Sequence, residues 1–73
     1  MKERKIRELI GEQVVITTDF KKDDLNELKG TLDKGITNKP FKENTMIYYR
    51  DDKNLLCGVD FKHIKDIKII KFN

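Results

Sequence analysis

Val59-Asp60-Phe61-Lys62-His63-Ile64-Lys65-Asp66-Ile67-Lys68-Ile69-Ile70-Lys71-Phe72 changes its hydrophobic period twice. Cys57, Val59 and Phe61 recur at every second residue, Phe61, Ile64 and Ile67 at every third, and Ile67 and Ile69 again at every second. This spacing predicts a strand, one tight helical turn and a second strand. Such an order closes a small β-barrel, with Phe61, Ile64, Ile67 and Ile69 as its plug.

Working back along the chain, Asp51-Asp52-Lys53-Asn54 reads as a turn between the β-former run Met46-Ile47-Tyr48-Tyr49-Arg50 and the strand carrying Leu55, Cys57, Val59 and Phe61. Residues 35–45 form a polar loop holding Pro40 and one aromatic residue, Phe41, which is expected to anchor the loop or to meet a partner. Leu28, Gly30 and Leu32 share one strand face, with the glycine marking a bend. Lys21 to Glu27 is a polar connection, either a simple loop or one capped helical turn.

Further upstream, Gln13 to Phe20 alternates, with Val14, Ile16, Thr18 and Phe20 on one side. Ile6, Leu9 and Ile10 stand at helical spacing, and Gly11 follows as a stop. A helix this short needs a surface to pack on, so it is expected to cover one mouth of the barrel. The resulting expectation is one mainly β domain over residues 1–73, with a short N-terminal helix in 1–11 and five strands in 13–72.

The charge is unevenly spread. Residues 1–60 carry 12 Lys or Arg against 12 Asp or Glu, whereas residues 61–73 carry 4 against 1, so the net charge of +3 resides in the closing segment. A local positive face attracts phosphate, although lysines on a terminal strand also protect it from edge-to-edge association. Lys62 and Lys68 fall on one strand parity and Lys65 and Lys71 on the other, so a single lysine row is not guaranteed. Lys62, His63, Lys65 and Lys68, assisted by Arg50 and by whichever of Tyr48 or Tyr49 is exposed, are the candidate nucleic-acid-binding residues.

Catalysis is not expected. Cys57 lies six residues before His63, the one histidine, but a cysteine sharing a face with Val59 and Phe61 is inert, and no motif supplies an acid to orient the imidazole. Asp23, Asp24, Asn26 and Glu27 lack the glycine and the bidentate glutamate of an EF-hand. The glycines are isolated, without phosphate-loop spacing. No cofactor or metal is expected, and a single cysteine points to a reducing, cytoplasmic setting. With no long apolar run, no membrane association is expected.

Val14-Val15-Ile16 followed by Leu28-Lys29-Gly30-Thr31-Leu32 resembles the first strands of Sm-like proteins, with their Gly-Thr-Leu segment. Phe61-Lys62-His63-Ile64 is similar to the Tyr-Lys-His-Ala run of the Hfq-like branch. The resemblance spans roughly residues 6–72 and implies a five-stranded Sm-like or, more broadly, SH3-like barrel. It further implies that Lys62 and His63 meet uridine-rich RNA near the pore of a ring, with the last two strands pairing between subunits, hence a homo-oligomer. RNA or another single-stranded nucleic acid is therefore the expected partner. The alternative is an accessory or inhibitor module that binds a protein through the 36–45 loop, with Phe41, or through a free strand edge.

Overall fold

The computed structural model describes residues 1–70; the expectations placed on Lys71 and Phe72 lie outside the described residues. Helix α1 (Glu3–Glu8) is followed by strands β1 (Gln13–Thr18), β2 (Glu27–Leu32), β3 (Met46–Arg50) and β4 (Leu56–Asp60), a 3₁₀ turn (Phe61–His63), and β5 (Ile64–Ile69). The chain is mainly β, one antiparallel sheet of five strands in the order β4-β3-β2-β1-β5 with one short N-terminal helix.

β4 and β5 are consecutive in sequence yet occupy opposite edges of the sheet, joined by only a three-residue turn. In a flat sheet those edges would lie about 19 Å apart, four strand spacings. Three residues reach roughly 10 Å. The sheet must therefore curl until its edges approach, although no ladder joins β4 to β5 and the sheet stays open. Inside the curl, Val14, Ile16, Leu32, Ile47, Tyr49, Val59, Ile64 and Ile67 form one core.

Helix α1 closes this core with Ile6, fully buried, and with Leu9 and Ile10 packed at its margin. The helix stops at Glu8, short of the Ile10 end expected, and Leu9 and Ile10 continue as a turn into Gly11. Gly11 takes φ 88°, a left-handed conformation that costs glycine little, and its N–H reaches Leu32 O at 2.9 Å, fastening the helix end to β2. Lys22 O accepts N–H groups from Leu25 and Asn26, so the Lys21–Glu27 connection contains one helical turn.

Two residues depart from the sequence reading. Ile36, in the loop read as polar, is 6% exposed and belongs to the core. Ile69, expected to plug the barrel, sits opposite Val14 near the end of edge strand β5 and is 43% exposed. No helix among the described residues is long and apolar enough to cross a membrane.

A candidate nucleic-acid interface

The 3₁₀ turn is the junction at which the candidate residues meet. Its geometry follows from two backbone bonds that stitch it to the loop before β3: Phe61 N–H donates to Thr45 O at 2.8 Å and Lys62 N–H to Glu43 O at 2.9 Å. This stitching gathers Phe41, Lys42, Phe61 and Lys62 around one open hollow of about 520 Å³, with Glu43 as the acid in its lining. Lys42 and Lys62 are exposed, while Phe41 and Phe61 meet edge to face with centroids 5.2 Å apart.

Helix α1 fixes the Phe41 loop. The Arg7 guanidinium lies 4.4 Å from the centre of the Phe41 ring and donates to Thr37 O at 2.9 Å and Lys39 O at 2.7 Å. Glu3 accepts the Phe41 N–H at 2.8 Å and pairs with Arg7 at 2.8 Å. The Phe41 N–H bond first, and Arg7 second, hold the Glu3 carboxyl below the usual carboxylate range. Phe41 therefore anchors the loop, as expected, and it also borders the hollow that Lys62 lines.

His63 faces the other side of the turn. Its Nδ1 is 2.9 Å from Asp19 Oδ1, its carbonyl accepts the Asp19 N–H at 3.0 Å, and its ring packs on Phe20 at 4.7 Å between centroids. The sequence offered no acid to orient His63, yet Asp19 does so from 44 residues away. The pairing of β1 with β5, Thr18 opposite Ile64, brings the two together. Thr18 steadies the approach: its hydroxyl donates to Leu25 O at 2.8 Å and accepts the Phe20 N–H at 3.3 Å. Lys65 is exposed beside this corner.

Cys57 is partly buried, opposite Tyr49, and its thiol bonds Leu55 O at 3.6 Å. His63 and Cys57 thus have separate partners. Among the described residues no three His, Cys, Asp or Glu side chains are grouped to hold a metal ion.

The other candidates are dispersed. Lys68 stands opposite Val15, and Val15 opposite Lys29, so two exposed lysines flank one valine across three strands. One rung on, Thr17 lies between Asp66 and Glu27. The basic rung is therefore followed by an acidic one, and β5 offers no continuous lysine stripe. Lys5 bonds Asp66 at 2.9 Å and, followed by the Ile67 N–H, keeps that carboxyl below its ordinary range.

Arg50 lies on β3, opposite Leu56 of β4 and Thr31 of β2, and its guanidinium is occupied by Asp33 at 3.4 Å and Asn54 O at 3.1 Å. Tyr48 is the exposed tyrosine, at 36%; Tyr49 points into the core at 7%. Lys62, His63 and Lys65 are thus adjacent on the turn and the start of β5. Arg50 and Tyr48 stand apart from them on β3, and Tyr49 presents no surface for stacking.

Burial pushes the Tyr49 phenol up to about 12, with Cys57 adding to the shift. The folded state prefers the neutral phenol, so this contribution is intact below the unfolded pKa of about 10 and is lost as pH rises toward 12. Denaturant midpoints measured across that range should fall, and Tyr49→Phe should flatten the decline; an unchanged slope in the variant would contradict this account.

No protein-family model, curated protein or solved structure matches the chain.

Proposed function

We propose that this chain is a non-enzymatic module that binds single-stranded nucleic acid, RNA foremost, at the 3₁₀ turn. Lys42, Lys62 and Lys65 supply phosphate contacts, and Phe41 and Phe61 border a hollow in which a base can stack. The observation that carries this reading is the meeting of Phe41 and Lys62, separated by 21 positions in the chain, around one hollow. The similarity of Phe61-Lys62-His63-Ile64 to the Hfq-like run supports the same turn. A cytoplasmic setting belongs to this reading, because Cys57 has no second cysteine with which to pair.

Fluorescence anisotropy with labelled oligouridine and oligothymidine tests it. Three lysine contacts give a log–log salt slope of about −2, and Lys62→Ala should reduce its magnitude by about 0.7. Absence of binding in the micromolar range at low salt would sink the reading.

A protein-binding role is the second reading, favoured by four exposed apolar side chains on the β3–β4 hairpin: Met46, Tyr48, Leu55 and Leu56. Pull-downs with and without nuclease separate the two, since only a protein contact survives digestion.

A further inference from the structure

The two edges of the sheet are unlike. β5 carries exposed Lys65 and Lys68 and a register shift against β1 between Thr17 and Thr18, features that discourage strand addition. β4, Leu56-Cys57-Gly58-Val59-Asp60, has no lysine, no proline and no register break against β3. Exposed apolar groups gather beside it: Leu55 is 59% exposed, Leu56 52%, Met46 38% and Tyr48 36%.

Backbone parity shows which groups this edge offers. Phe61 N–H bonds Thr45 O at 2.8 Å and Asp51 N–H bonds Leu55 O at 3.1 Å, one at each end of the β3–β4 ladder. Hydrogen-bonded pairs alternate along an antiparallel ladder, so Ile47 with Val59 and Tyr49 with Cys57 are bonded pairs as well. The N–H and C=O groups of Leu56, Gly58 and Asp60 then point away from β3, with no backbone partner among the described residues.

We propose that β4 is the interface of a two-fold dimer, pairing antiparallel with β4 of a second copy about Gly58. All three outward residues are used in one register, with Leu56 opposite Asp60 of the second copy and Gly58 opposite its equivalent. Self-pairing suits the charges. The two copies of Asp60, the one charged residue of β4, fall at opposite ends of the new ladder. In this register each Asp51–Asn54 turn lies at the end of the ladder where the other copy continues into Phe61 and the exposed Lys62. Met46 and Tyr48 lie over Gly58, where an added Cβ would come within 2.6 Å of Met46 Sδ, so pairing extends one apolar surface across both copies. The proposal does not rest on the nucleic-acid reading.

Sedimentation equilibrium of the full chain from micromolar to millimolar concentration tests it, the expected species having twice the 8.7 kDa chain mass. Leu56→Asp places like charges opposite one another at both ends and should weaken the dimer about tenfold or more, whereas Leu56→Lys faces Asp60 and should retain it. Because Leu56 is 52% exposed, both variants should keep the wild-type circular dichroism. A monomer throughout, equal weakening by both substitutions, or a larger assembly would each overturn the proposal.

Discussion

Gly30→Ala should lower unfolding stability by about 3 kcal/mol, the upper end of ordinary overpacking costs. A Cβ at Gly30 would lie 2.2 Å from Arg50 O, 2.9 Å from Tyr49 Cδ2 and 3.0 Å from the Arg50 carbonyl carbon. Two of these three atoms are backbone, so rotating a side chain cannot relieve the clash. β2 would have to withdraw from β3, where the ladder has only the pairs Thr31 with Arg50 and Leu32 with Tyr49. For 73 residues the total stability is on the order of 4–11 kcal/mol, so the loss is a large fraction of it. Urea unfolding followed by circular dichroism measures this; a midpoint equal to wild type would show that β2 and β3 separate freely.

Ile16→Ala should cost about 2–5 kcal/mol. Ile16 is fully buried on β1, a strand with neighbours on both sides, opposite Leu28 of β2 and Ile67 of β5. Ladders on both sides limit how far the backbone can move to fill the vacated space, which places the cost toward the upper part of that range. Ile69→Ala is the internal comparison: at 43% exposure this side chain already keeps much of its surface in water, and its loss should be well under half as large. Similar midpoint changes for the two variants would mean that the closing strand is held by Ile69 as firmly as the core is by Ile16.

The candidate site was legible in part. Lys62, His63 and Lys65 are neighbours in sequence, so their grouping needed only the tight turn that the change of period indicated. Tyr48 and Tyr49 necessarily face opposite ways on a strand, but which one is exposed depends on which side of β3 the core occupies. Asp19 as the partner of His63, and Lys42 as the neighbour of Lys62, left no local signal. Each belongs to a segment brought to the turn by pairing over a long separation: β1 with β5 for Asp19, and the loop before β3 with the turn for Lys42. Arg50 looked free because its acid, Asp33, lies 17 residues earlier, just after β2 and across the loop that leads into β3.

The sequence by itself determined the elements: the alternation of Val14, Ile16 and Thr18, the existence though not the end of the short helix that carries Ile6, and the turn at Asp51–Asn54. There the Asp51 carboxylate accepts the N–H groups of Lys53 and Leu55, both at 2.9 Å. These are short-range matters, since side-chain period and turn chemistry are settled within a few residues. Only the tertiary structure decided that β5 lies against β1, that Ile36 leaves its loop for the core, and that β4 is the edge without lysines. Such choices depend on which long-range pairing buries one continuous apolar face while satisfying the backbone, a property of the whole chain that no local spacing encodes.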